Sequence, residues 1–415
     1  MAVSYSLLKR TKSDDPRFTN HTNTLTMHPL QQKSAKNQLS QEDQQLYTKK
    51  VMAMISSAIS IHREKRKDND WVFNQQIEPH LFACRDNLET CLKDVTLDIP
   101  FALSAHSLGV ALDDLSLYQL AELPYRKALE SLQQAESEEL DSQETNLVKV
   151  MRSLGNNLSY QSRYKEALKF LEPILKIYEQ PNRKKTGVYL ATVYSIGLIY
   201  RYQGEYDKAL EAYKVVYDGN VNLHNNKECT GALEALSEMG YVHLVKRNLD
   251  TAQEFLEAAF EGYKKRFGSM HPFTLTAVHL VASVYLRRGK YDDALDWYQV
   301  ALAGREVKLG KEHLATLATV GGIAETHIEL GRYQEGLEGY QRALDGRRKA
   351  SGDKSMWTLS AVHGVGTALK GLGRYADALE CFERALEGRK EILGLNHSQT
   401  LETIDQLEEV HRLLA

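Results

Sequence analysis

The seven-residue phrase GKYDDAL beginning at Gly289 returns as GRYQEGL at Gly331 and as GRYADAL at Gly373, a step of 42 residues each time. A fixed period of this length constrains the fold more than composition does, because a repeating chain repeats a unit of structure. Upstream the phrase widens into Tyr-x-x-Ala-x-x-x-aromatic-x-x-Ala. Its anchors are Tyr118, Tyr164, Tyr206, Leu249, Tyr291, Tyr333 and Tyr375, in steps of 46, 42, 43, 42, 42 and 42 residues. Seven units are predicted.

Spacing inside a unit explains the residue types. The aromatic and alanine positions fall three or four apart and share one helical face. Alternating large and small side chains let a neighbouring helix approach at alanine while rings fill the flanking space. A second apolar-periodic helix precedes each phrase, as in TLTAVHLVASVYLRR with Val278, Val281, Ala282 and Tyr285. The glycine between the two is placed to cap the first helix and reverse the chain. Each unit is then a helix–turn–helix that buries its apolar face only by stacking on its neighbours. The expected fold class is all-α, a right-handed superhelical solenoid of antiparallel helix pairs, with seven hairpins over residues 96–395.

Flanking segments read differently. Residues 1–39, rich in Ser, Thr, Asn, Gln and Lys, are expected to form a flexible leader. Residues 40–95 are expected to form an N-terminal helical cap or degenerate repeat. There Ser40 with Asp43 offers an acidic capping box, and Tyr47, Val51, Ile55, Ala58 and Ile59 form an apolar stripe. A second stripe, Phe73, Ile77, Leu81, Leu88 and Cys91, contains Pro79, which either starts a fresh helix or kinks this one. Residues 396–415 are expected to be a capping helix, with Glu408, Glu409 and Arg412 solvating the end of the stack.

Charge and cysteines bound the partners. The net charge of −3 hides an uneven spread: residues 1–70 carry 12 basic against 7 acidic side chains, leaving a mildly acidic body. That body argues against nucleic acid, whose binders present a basic face. The run HREKRK at His62 to Lys67 reads as a solvated helix end. Four scattered cysteines make no disulfide framework, and no apolar run reaches membrane-spanning length. A cytoplasmic protein without membrane partners is expected.

The segments REVKLGKEHLATLATV and KKRFGSMHPFTLTAV, the latter with His-Pro-x-Thr-Leu at His271 to Leu275, resemble the inter-repeat signature of tetratricopeptide repeats, in the 42-residue variety of kinesin light chains. The resemblance covers roughly residues 70–415. The segments ALAGRE, ALDGRR, ALEGRK and IEPHLFAC look most like arrays appended to fungal NACHT- or NB-ARC-type ATPases. The ATPase itself is missing, since no G-x-x-x-x-G-K-[ST] loop occurs. The resemblance implies a concave groove lined by the first helices of the hairpins, where equivalent positions form columns. One column reads His106, Arg152, Tyr194, Ser237, His279, Gly321, His363 and Asp405; the next reads Val110, Asn156, Leu198, Tyr241, Ser283, Glu325, Thr367 and Glu409. Arg201, Tyr202 and Arg287 lie one turn further. Kinesin-type relatives often place Asn one residue after the first column, where this chain has Ser107, Ser153, Ser195, Glu238, Leu280, Gly322, Gly364 and Gln406, so a different ligand is expected.

The candidate groove residues are therefore Arg152, Asn156, Tyr194, Arg201, Tyr241, His279, Ser283, Arg287, Glu325 and His363. Aromatic and charged groups in such a wall suit an extended peptide or protein segment, and the expected role is an adaptor or sensor. The alternative is a non-canonical enzyme of small-molecule metabolism, with Arg152, His279, Glu325 and His363 supplying acid–base chemistry. A scaffold using the convex face is a third reading. No metal-ligand spacing, nucleophile elbow or phosphate loop calls for a metal or cofactor. Arg305, Arg347 and Arg389 follow Gly304, Gly346 and Gly388; the glycines point to close helix packing, and the arginines are expected to pair with carboxylates of the next unit.

Overall fold

In the computed structural model of this chain, residues 9–11, 24–26, 39–65, 71–134, 140–178 and 186–415 are described. Within the leader, Lys9–Thr11 (β1) pairs antiparallel with Thr24–Thr26 (β2); the rest of the expected flexible segment up to residue 38 lies outside the described residues. So do residues 66 and 67 of the HREKRK run and the side chains of its first four residues. Everything else described is helix and connection.

Helices α1 (Gln41–Lys65) and α2 (Trp71–Thr90) precede the repeats. Ser40 caps α1, its Oγ accepting from Asp43 N–H at 3.1 Å and donating to the Asp43 carboxylate at 2.8 Å. The buried face of α1 keeps Ile55 and Ile59 of the expected stripe but differs in the first half. Tyr47 and Val51 are 53% and 45% exposed, while Thr48 and Met52 are buried. Two apolar stripes run along this helix a short rotation apart, and only the second faces α3. Pro79 starts no fresh helix and lies inside α2.

Seven hairpins follow. They are α3 (Ile99–Asp114) with α4 (Tyr118–Gln134), α5 (Leu140–Tyr160) with α6 (Tyr164–Tyr178), and α7 (Gly187–Tyr202) with α8 (Tyr206–His224). Next come α9 (Thr230–Val245) with α10 (Leu249–Phe267), α11 (Pro272–Arg287) with α12 (Tyr291–Lys308), α13 (Leu314–Glu329) with α14 (Tyr333–Ser351), and α15 (Met356–Gly371) with α16 (Tyr375–Leu393). A last helix, α17 (Ser398–Leu414), packs on α16. The result is an all-α solenoid.

The repeated residues do what their spacing requires. Ala121, Ala167, Ala209, Ala252, Ala294 and Ala378 are wholly buried, as are Tyr213 and Phe382. Small residues on the first helices receive the large ones: a Cβ at Gly366 would lie 2.9 Å from the Phe382 ring, and one at Gly197 the same distance from the Tyr213 ring. Gly304 and Gly388 are the reverse case. A Cβ there would come within 2.5 and 2.6 Å of Leu275 and Leu359, so close helix approach is the cause of these glycines. Turn glycines Gly289, Gly331 and Gly373 adopt φ of 75°, 74° and 74°, which glycine reaches at little cost.

The inter-repeat signature has a local reason too. The imidazole Nδ1 atoms of His271, His313 and His397 accept from the N–H two residues on, at 3.2, 3.1 and 3.2 Å, and so cap α11, α13 and α17. Thr274 Oγ1 and Thr316 Oγ1 tie the same turns by donating to the Gly268 and Gly310 carbonyls.

The arginine column corrects one expectation. Arg305 and Arg389 are 2% exposed, and their partners are not carboxylates. Arg305 donates to the Ala315 carbonyl, Thr319 Oγ1 and Thr276 Oγ1; Arg347 donates to the Trp357 carbonyl; Arg389 donates to the Gln399 carbonyl and Thr403 Oγ1. A planar fork of donors fits a helix carbonyl and the threonine one turn on, which a carboxylate pairing would leave unbonded. Burial pulls the pKa of both Arg305 and Arg347 down to about 10.

Candidate functional site

The first helices of the hairpins carry the candidate columns. Along both, most polar and aromatic positions stay partly exposed close to buried residues: Arg152 two before Leu154, Tyr194 beside Ser195, His279 beside Val278, His363 beside Val362; Ser237 is buried. Such a rhythm is that of an inner wall, packed from behind and open in front.

Its central part is a charged aromatic cluster. Arg201 Nε lies 3.0 Å from Glu238 Oε2, and the guanidinium sits against the rings of Tyr202 and Tyr241, 4.3 and 4.6 Å from their centroids. Burial pulls the Arg201 guanidinium toward neutrality, but Glu238 together with Tyr202, Tyr213 and Tyr241 outweighs it and holds the cation charged. Tyr194 and Tyr213 hydroxyls reach the two Glu238 oxygens at 3.5 Å, and their rings tilt together at 5.9 Å. Tyr194, Arg201 and Tyr241 are thus brought together, as the columns implied. Glu238 was placed by the sequence only as a departure from an asparagine column, and Glu234 and Tyr213 were missed. Burial first, then the Glu238 charge, raises the Glu234 carboxyl to about 7. The Glu234/Glu238 spacing of four on an inner helix was the available signal.

Further along, Arg287 Nη2 pairs with Glu325 Oε1 at 3.0 Å, across two hairpins. Burial raises the Glu325 carboxyl against the pull of Arg287. Ser283 Oγ bonds the His279 carbonyl at 3.0 Å and the Tyr298 hydroxyl at 2.8 Å. The His279 ring tilts against Tyr298 at 5.2 Å, and its buried Nδ1 has no partner. Burial, with Arg305 and Arg347 adding to it, pushes this imidazole well below its ordinary pKa. His363 lies on Phe382, with Arg389 Nη1 3.5 Å from its Nδ1; burial and the Arg389 charge lower it to about 3.

No hydrogen bond or ion pair joins any two of Arg152, His279, Glu325 and His363. Two imidazoles that stay neutral near pH 7 are poorly matched to proton transfer there.

Arg152 is the exception among its arginines. Burial alone acts on it, lowering its pKa, and among the described residues no carboxylate, carbonyl or hydroxyl partner accompanies it. One turn on, the side chain of half-buried Asn156 likewise makes no hydrogen bond among the described residues, whereas its neighbour Asn157 is wholly buried and spends its amide on Asp113 Oδ1 at 2.7 Å and the Tyr118 carbonyl at 2.9 Å.

Comparison with known proteins bears on this architecture. No curated protein sequence matches the chain. Among solved structures, a Rap protein complexed with competence and sporulation factor is 16% identical, with a TM-score of 0.52 over 75% of this chain and 88% of that one. NprR in complex with its cognate peptide NprX is 15% identical, with a TM-score of 0.52 over 72% and 84%. TPR-like repeats ascribed to a kinesin light chain of Podosopora anserina are 21% identical over 49% of this chain and 95% of that one, with a TM-score of 0.37. At these identities the likeness is one of fold. Among the described residues no helix is long and apolar enough to cross a membrane. The family model for the tetratricopeptide repeat matches residues 146–219, 231–306, 313–391 and 357–415, more than half of the chain and the same hairpins that the buried alanines and capped turns define. The chain belongs to the tetratricopeptide repeat family.

Proposed function

We propose that this protein is a peptide- or protein-binding adaptor or sensor that holds an extended segment along the inner wall, from Arg152 and Asn156 toward the Arg201–Tyr241 cluster. One observation carries the reading. Arg201, Arg287, Arg305, Arg347 and Arg389 each have a carboxylate, carbonyl or hydroxyl partner, while among the described residues no such partner meets half-buried Arg152. A desolvated guanidinium without a partner is costly, and a ligand carboxylate or backbone carbonyl removes that cost on binding. Asn156 offers a donor and an acceptor one turn away, which suits an extended peptide backbone. Glu234, which has no hydrogen-bond partner or ion pair among the described residues and lies two hairpins further, supplies a place for a basic or hydrogen-bonding group. That solved proteins of this architecture include NprR with its cognate peptide supports the reading.

The test is selection from a library of displayed random peptides, followed by calorimetry on the selected sequences. Arg152→Glu should weaken binding by about a hundredfold, from the lost charge-assisted bond and added repulsion. Asn156→Ala should weaken it about tenfold. Recovery of no peptide, or of peptides indifferent to Arg152→Glu, removes the site from this wall.

A further inference from the structure

The solenoid touches itself at a distance. The hairpin turns of the first three units rest on the loops that enter α13, α15 and α17. Leu314 N–H donates to Ser116 Oγ at 3.3 Å, and Met356 N–H donates to Ser162 Oγ at 2.9 Å, across 198 and 194 residues of chain. Tyr206 hydrogen-bonds Ser398 at the third such meeting. Tyr118 packs on Leu314, Leu317 and Ala350, and the Tyr202 ring meets the edge of Trp357 at 5.7 Å.

The turn residues are chosen for this meeting. In the last three units the left-handed position is glycine, at Gly289, Gly331 and Gly373, with nothing within 4 Å of an added Cβ, and in the fourth it is Arg247 at φ of 63°. In the first two units it is serine, at φ of 62° and 65°, a backbone conformation that serine adopts at a cost. What the hydroxyls gain is a bond to the first amide of a helix one superhelical turn away, an amide with no partner inside its own helix. The third turn has Gly204, and a Cβ there would lie 2.8 Å from His397 Nε2. Gly352 opposite is filled by the Gln119 side chain.

We propose that this seam is a latch. Ser116 and Ser162 cap α13 and α15 in trans and hold successive turns of the superhelix together, and the molecule opens by parting them while each hairpin stays folded. Hairpins within the stack share continuous apolar faces along their whole length, whereas the seam rests on two serine bonds, a tyrosine bond, a His313 bond to the Asp114 backbone, and the contacts of Tyr118 with Leu314 and of Met356 and Leu359 with the core of the first hairpins, so it is the join that parts most readily. A parted seam leaves the inner wall reachable from the side. That consequence for ligand entry rests on the function proposed above; the latch itself does not.

Hydrogen exchange and small-angle scattering on the full chain without ligand test it. In the native protein, the first turns of α13 and α15 should exchange together and faster than the interiors of α14 and α16. Replacing both serines by glycine keeps the left-handed turn and deletes only the hydroxyls. The S116G/S162G chain should exchange about tenfold faster at the first turns of α13 and α15, with a larger maximum dimension and unchanged helical circular dichroism. The first turn of α11, capped by His271 and outside the seam, should keep its rate. Unchanged exchange and scattering, or an equal rise at α11, overturns the proposal. The single variants S116G and S162G repeat the test should the double variant lose helical signal, and each should affect its own helix only.

Discussion

Replacing Asp113 by Asn should stabilise the protein at neutral and alkaline pH, by an amount that grows with pH. Asp113 ends α3 at the core, where Tyr125 OH donates to its Oδ2 at 2.7 Å and Asn157 Nδ2 to its Oδ1 at 2.7 Å. Burial pushes its carboxyl from 3.8 up to about 8, outweighing the lowering by Tyr125 and Asn157 and helped by nearby Asp114. The sign follows from proton binding. Above the unfolded pKa the native state holds the proton more tightly, so stability is full below pH 3.8 and is lost as pH rises to about 8. Between pH 5 and 8 the loss attributable to Asp113 is about 4 kcal/mol, at 1.36 kcal/mol per unit. Asn is nearly isosteric and never ionises, and the Tyr125 hydroxyl can turn to accept from its amide. Other groups titrate in the same range, so the quantity to measure is the difference between the two proteins. Urea midpoints at pH 5, 6, 7 and 8 should diverge steadily in favour of Asp113→Asn. A constant gap, or one that favours the native aspartate at pH 8, refutes the reasoning.

Three other perturbations probe the packing, the wall and the caps. Ala294→Leu puts a branched side chain where alanine is wholly buried, and should lower stability by about 1–3 kcal/mol in thermal denaturation. Arg201→Glu sets a second carboxylate against Glu238 in a wall where Arg201 is only 10% exposed, and should destabilise by about 3–5 kcal/mol; circular dichroism melting checks this, and an unaltered melt would mean the ion pair is not a fixed part of the wall. His397→Ser should slow acid unfolding. Burial and the Arg389 charge depress the His397 pKa, so the unfolded state binds a proton below pH 6.5 that the native state refuses, and stability falls with falling pH from there. Serine caps α15 in the same position through Ser355, so the variant keeps the cap and should lose that share of the acid sensitivity in urea titrations from pH 7 to 4.

What the sequence showed and what it hid divide along one physical line. Alanines at fixed spacing, turn glycines and the His-Pro-x-Thr-Leu signature report contacts between neighbours in the chain, and neighbour contacts leave a period. The hairpins, the close approach at Gly304 and Gly388 and the inner columns were legible for that reason. Arg305, Arg347 and Arg389 showed their place but not their partners, since a helix carbonyl is present at every residue and leaves no mark in composition. The α1 stripe was misread because Tyr47/Val51 and Thr48/Met52 are equally good apolar faces, and only the position of α3 decides between them. Contacts across a superhelical turn leave no period at all. Ser116 and Ser162 look like ordinary substitutions for a turn glycine until the loops 198 and 194 residues away are seen beneath their hydroxyls. The sequence trace of such a contact is a broken rule: a residue that takes a left-handed turn where Gly289, Gly331 and Gly373 supply a glycine, with the fourth unit's Arg247 showing that the trace alone does not name the contact. Arg152 is the same kind of signal in the wall, an arginine at a position where later units carry Tyr194, Ser237, His279, Gly321 and His363. A repeat protein tells its fold through what recurs and its individuality through what fails to recur, and both proposals made for this chain stand on such failures.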